Sequence, residues 1–208
     1  MNKAYEQRVF NFDIRAEQNE SGLGILTGRP VVYNSRTDLG YFDEVIEMGA
    51  LNGADLRDVR FLVNHDTSMI PLARSRNNNA NSTMQLTVDD QGMGIRVNLD
   101  IENNSDAKNL YSAVGRGDIT GMSFMFRIDD EEWSDLESDH PTRHVRKISD
   151  VIEVSACTFP AYDDTTIDTR NKMALDSARS ALDSARQKSL DSDLELAKAK
   201  ALFYTKVR

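Results

Sequence analysis

The chain is poor in the residues that hold small stapled or metal-bound domains together. Its one cysteine, Cys157, excludes an internal disulfide and a cysteine-based metal cluster. Histidines number three (His65, His140 and His144), so chemistry that needs an imidazole has few places to sit. No apolar run approaches the roughly 18 residues that cross a bilayer. The opening stretch "MNKAYEQRVFNFDIRAE" lacks the apolar core of a secretory signal. Excess positive charge is missing too: 25 Lys and Arg face 34 Asp and Glu, a net charge of -9. General nucleic-acid binding works by neutralising phosphates and is disfavoured by that balance. The expectation is a soluble protein of a reducing compartment, with no membrane, nucleic-acid, metal or cofactor requirement.

What is present divides in two. Residues 171–208 hold eight Lys and Arg against five Asp and Glu, a net of +3, so residues 1–170 carry -12. The sequence pattern changes at the same boundary. Before it the chain reads mainly as strands: "QRVFNFDIRAE", "LGILTGRPVVYN" with a Gly-Arg-Pro break, "VRFLVNHD", a hairpin turning at Asp89–Gly92, "SFMFRI", "RHVRKI" and "VIEVSACTF", stopped by Pro160. One helix interrupts them, capped by Asn104 or Ser105 and ended by Gly115 and Gly117. The acidic run Asp129 to Asp139, which holds Trp133, reads as a solvated loop. After residue 170 the echo "ALDSARS", "ALDSARQ" spaces Leu175 and Leu182 one heptad apart. That segment is helical and too alanine-rich to fold without a partner surface. The class is therefore α+β, mainly β, with a helical C-terminal tail.

The stretch "GDITGMSFMF" carries the first candidate for chemistry. On strand alternation Met122, Phe124, Phe126 and Ile128 share a core face, while Ser123, Met125 and Arg127 take the other. A serine there can simply satisfy a nearby carbonyl, or it can be a nucleophile if a base lies close. His65 closes the run "RFLVNHD" on the strand face of Phe61 and Val63, and an imidazole titrates near neutral pH. In "VIEVSACTF", Glu153 shares a face with Ser155 and Cys157. A carboxylate on an apolar strand needs a partner. It can orient an imidazole, or pair with Arg127 or Arg146.

Taken in order, "NHD", "PLARS", "LTVDDQGMGI", "VGRGDITGMSFMF", a tryptophan-bearing loop and "IEVSACTFPAY" resemble the prohead serine proteases of tailed bacteriophages, from about Gly28 to Asp168. That family is similar in fold to the herpesvirus capsid-maturation proteases. The resemblance implies a closed β-barrel wrapped by helices, with catalytic residues in the order His, Ser, third member. His65, Ser123 and Glu153 fall in that order as base, nucleophile and orienting acid. His144 is the first alternative third member, because the herpesvirus enzymes use a histidine there; Asp150, or no third member, is the other. A main-chain N–H, with a guanidinium as a second donor, is expected to hold the oxyanion. Arg74 matches an arginine of the family motif and is either a structural ion pair or a substrate contact. Ala73 replaces the family's usual glycine, which argues against a left-handed backbone there.

The function implied is a serine endopeptidase that trims capsid-protein and scaffolding segments, and itself, inside the immature shell in the host cytoplasm. Major capsid protein and scaffold are the expected partners, together with self-association. Residues 1–170 then form the protease domain and residues 171–208 a basic helical targeting tail. The competing class is a non-enzymatic scaffolding protein that uses the barrel as a docking module.

Overall fold

The computed structural model describes residues 5–10, 14–18, 24–158 and 165–206. Pro160 and residues 11–13 lie outside them. Eleven strands and two helices follow one another as β1 Glu6–Phe10, β2 Arg15–Gln18, β3 Gly24–Val32, β4 Arg36–Asp38, β5 Asp43–Ile46, β6 Asp58–Val63, β7 Ala73–Arg76, β8 Met84–Asp89, β9 Gly92–Leu99, α1 Ser105–Arg116, β10 Gly121–Ser134, β11 Thr142–Cys157 and α2 Thr165–Lys206.

The predicted α+β class holds. The closed barrel does not form among the described residues. Strand pairing yields a seven-stranded sheet, β1-β10-β11-β5-β4 with β6 and β7 branching from β11, and a separate four-stranded sheet, β2-β3-β9-β8. Side chains take the place of a ladder where the sheets meet. The N–H groups of Arg74 and Arg76 donate to Thr83 Oγ1 and Ser82 Oγ, each at 2.9 Å, and the Asn78 amide brackets the backbone of Leu86. Those bonds satisfy the β7 edge without closing the sheet.

The core lies between the sheets. Met122, Phe124, Phe126 and Ile128 are all buried, as the alternation requires, and Phe124 stacks on Phe126 with centroids 4.4 Å apart. Leu26, Met93, Val97 and Leu99 meet them from the smaller sheet, and Leu110 and Val114 of α1 complete the cluster. The Asn104 side chain caps α1, and Gly117 ends it at φ 78°, a left-handed position that costs glycine little. Gly115 stays inside the helix. Arg29 and Pro30 form the expected break as a bulge in β3, with Arg29 paired to Asp89 at 2.7 Å.

The acidic run is a loop only in its second half, residues 135–139. β10 continues to Ser134 against β11, and its carboxylates meet cations across the ladder: Asp129 with Lys147 at 2.7 Å, Glu131 with Arg143 at 2.5 Å, and Glu132 with Arg146. Opposite charges on facing strands stabilise the ribbon that the sequence pattern alone disguises. Its tip receives α2. Leu175 is buried, and Arg179 donates to the carbonyls of Leu136 and Ser138 at 3.1 and 2.8 Å. The helix that lacked apolar surface for folding alone therefore leans on the body through its N-terminal half.

Candidate active site

β11 is the element that assembles the site. Its C-terminal half pairs antiparallel with β10, placing Ser155 opposite Ser123, and parallel with β6, placing Glu153 opposite Arg60. The chain leaves β6 at Val63 and turns. Asn64 and His65 both take left-handed backbone angles, φ 50° and 58°. His65 is thus not on the strand face of Phe61 and Val63 as alternation suggested; the turn swings it back over β11. Non-glycine residues pay for such angles in local strain, so the surroundings must fix them. The Asn64 side chain donates to Thr158 Oγ1 at 3.0 Å and accepts from Thr158 N at 2.9 Å. The His65 N–H donates to Ser155 Oγ at 3.0 Å.

His65 Nε2 then lies 2.5 Å from Ser123 Oγ, and His65 Nδ1 lies 2.6 Å from Glu153 Oε2. A carboxylate only accepts, so Nδ1 carries a proton and Nε2 is left to face the hydroxyl. The second Glu153 oxygen, Oε1, accepts from Ser155 Oγ. Glu153 is 3% exposed and spends both oxygens on these two partners. Neither Arg127, paired with Asp150 at 3.2 Å, nor Arg146, paired with Glu132, is its counter-ion.

The other candidates sit elsewhere. His144 bonds Glu47 at 3.2 Å and Ser134 at 3.1 Å on the ribbon. Asp150 belongs to Arg127. Arg74 forms a two-pronged pair with Asp58 at 2.6 and 2.8 Å, the ion pair of its two expected roles, and Ala73 is ordinary strand. Burial, reinforced by the Glu153 charge, pushes the Cys157 thiol up to about 12, so it stays protonated at neutral pH and is a poor nucleophile. Asp38, Asp43 and His140 are a partly exposed grouping with donor atoms within 4.8 Å of one another, and Arg36 already pairs with Asp43 at 3.0 Å.

Sequence reasoning missed three participants. Ser155 was legible only as a neighbour of Glu153 on the same face. Arg8 and Glu44 carried no signal, since each looks like a surface charge. In the structure β1 runs antiparallel to β10 with Val9 opposite Ser123, and the Arg8 carbonyl accepts from Ser123 Oγ at 2.7 Å. The Arg8 guanidinium forks onto buried Glu44 at 2.5 and 2.8 Å. Arg143 joins Glu44, Glu6 and Glu131 at 3.3, 2.8 and 2.5 Å. Burial alone would push the Glu6 carboxyl up, but the guanidinium groups of Arg8 and Arg143 outweigh it and hold it at about 2.

A family model described as caudovirus prohead serine protease matches residues 10–178. Among solved structures the chain is similar to the bacteriophage T4 capsid assembly protease, gp21, at 10% identity and a TM-score of 0.37, over 73% of this chain and 98% of that one. No curated protein sequence matches.

Proposed function

The chain belongs to the caudovirus prohead serine protease family, and on that premise we propose that it is a serine endopeptidase with Ser123 as nucleophile, His65 as general base and Glu153 as the acid that orients the imidazole. The observation that carries this reading is the unbroken contact line from Glu153 Oε2 to His65 Nδ1 at 2.6 Å and from His65 Nε2 to Ser123 Oγ at 2.5 Å. A buried structural serine needs one partner, not a base that is itself held by a buried carboxylate.

In the mechanism, Ser123 Oγ bonds to the scissile carbonyl carbon while its proton passes to His65 Nε2. Glu153 stabilises the imidazolium that forms. The C–N bond breaks as the leaving amine takes the proton from His65, and an acyl ester remains on Ser123. Water then gives a proton to His65 and attacks the ester, and Ser123 leaves with its hydroxyl restored. Main-chain N–H groups near Ser123 are the expected donors to the oxyanion, where one such donor is worth about 100- to 1000-fold in rate.

The substrates proposed are capsid-protein and scaffolding segments inside the immature shell assembled in the host cytoplasm, and the chain itself. Residues 1–170 form the protease domain, residues 171–208 are the segment that brings it to its partners, and the chain associates with itself. One observation favours a non-enzymatic docking module instead: Ser123 is fully buried. Co-expressing capsid protein with the wild-type and Ser123→Ala chains separates the two. Shortened capsid protein with wild type alone supports the protease; equal products, or none, favour the docking module.

A further inference from the structure

Ser123 is 0% exposed, and part of its cover is β1, an edge strand that among the described residues pairs only with β10. The Ser123 hydroxyl has one proton and two acceptors competing for it: His65 Nε2 at 2.5 Å and the Arg8 carbonyl at 2.7 Å. While the carbonyl takes that proton, the oxygen is not primed by the base. A substrate carbonyl also has no path to the hydroxyl on that side. The backbone groups along β10 from Met122 to Phe126, where an extended peptide would add, are already paired with Phe10 to Glu6.

The side chains beneath say what fills this edge. Opposite Phe124, the Arg8 guanidinium forks onto Glu44, which is 2% exposed. With β1 lifted away, Glu44 and Glu131 would share the single guanidinium of Arg143. A buried carboxylate without full compensation is costly. Whatever strand replaces β1 must therefore bring a cation to the same place. The forked geometry favours arginine, whose planar head matches a carboxylate with two parallel bonds.

We infer that the β10 edge beside Ser123 is a docking edge for an extended peptide strand with a basic residue, arginine before lysine, opposite Phe124, and that β1 occupies it as an intramolecular stand-in. The inference rests on the protease reading and adds to it a substrate preference and a reason for the burial of the nucleophile. Strand addition supplies main-chain bonds for affinity, and the Glu44 pocket supplies the selection.

The test is binding, which needs no catalysis. A fluorescent peptide of sequence Glu-Gln-Arg-Val-Phe is titrated by anisotropy into full-length Ser123→Ala and into Ser123→Ala with Arg8→Ala, which loosens β1. The double variant is expected to bind at least tenfold more tightly than the single one, and a peptide with glutamate in place of arginine is expected not to bind. Equal affinity for both chains, no binding to either, or no preference for arginine overturns the inference. A second variant guards against misfolding of the first. Gln7 and Met125 face each other across the two strands, so Gln7→Cys with Met125→Cys can be bridged. Peptide binding should vanish on oxidation and return on reduction; binding indifferent to the disulfide overturns the inference. Binding that behaves as expected with no peptide hydrolysis by the Arg8→Ala chain supports the docking edge and counts against the catalytic reading alone.

Discussion

The His65 N–H donates to Ser155 Oγ at 3.0 Å, and the same hydroxyl donates to Glu153 Oε1. One small side chain thereby fixes both the left-handed turn that carries the imidazole and the carboxylate that orients it. Ser155→Ala removes both bonds while leaving Ser123, His65 and Glu153 in the chain. The expected result is a fall in kcat of about 10- to 100-fold with KM little changed, by the weight such supporting bonds have elsewhere. Stability should drop by about 1–3 kcal/mol, since a buried acceptor loses its donor. Steady-state kinetics with a short peptide and urea unfolding check the two parts separately.

Glu153→Gln keeps the shape and loses the charge that favours an imidazolium. Turnover is expected to fall by about 10⁴-fold, the loss seen when a buried triad carboxylate becomes an amide. His144→Gln should leave turnover unchanged, because His144 is held by Glu47 and Ser134 on the ribbon. Peptide hydrolysis by the two variants ranks them, and the reverse order would move the orienting role to His144.

Acid should loosen the β1 anchor before it reaches the apolar core. Glu6 faces Arg8 and Arg143 within a cluster that also holds Glu44 and Glu131, and its carboxyl is held at about 2. A folded-state value below the ordinary one contributes stability that is full above the ordinary carboxylate range and lost as pH falls toward 2. Between pH 5 and 2 the wild type should therefore lose more stability than Glu6→Gln. Urea midpoints measured across that window check the sign.

The tail separates packing from targeting. Asn171 and Leu175 are buried, and Arg179 and Arg186 bond the ribbon tip at residues 136–138. A chain ending at Gln187 retains these contacts and is expected to hydrolyse a short peptide normally while failing to enter proheads. Counting the protein in purified proheads by mass spectrometry reads the outcome, and normal entry would remove the targeting role.

Much of the site was legible in the sequence because strand alternation and scarce histidine narrow the choices. Met122, Phe124, Phe126 and Ile128 fall on the core face that their spacing requires. Three things were not legible, each for a physical reason. The first half of the acidic run, to Ser134, continues as strand because its partners, Arg143, Arg146 and Lys147, lie on the facing strand rather than nearby in sequence. His65 departs from the strand face because two left-handed residues follow Val63, and asparagine is only a weak signal for that geometry. Arg8 and Glu44, 36 positions apart, became a buried pair through sheet topology that no local pattern encodes.

The most direct measurement is the site of covalent labelling by a serine-reactive phosphonate, read by peptide mass spectrometry on the full-length Arg8→Ala chain, with and without His65→Ala. The account predicts a single adduct on Ser123 that disappears when His65 is replaced, because the hydroxyl reacts only when that base can take its proton. An unlabelled Ser123, or labelling that persists without His65, would contradict it.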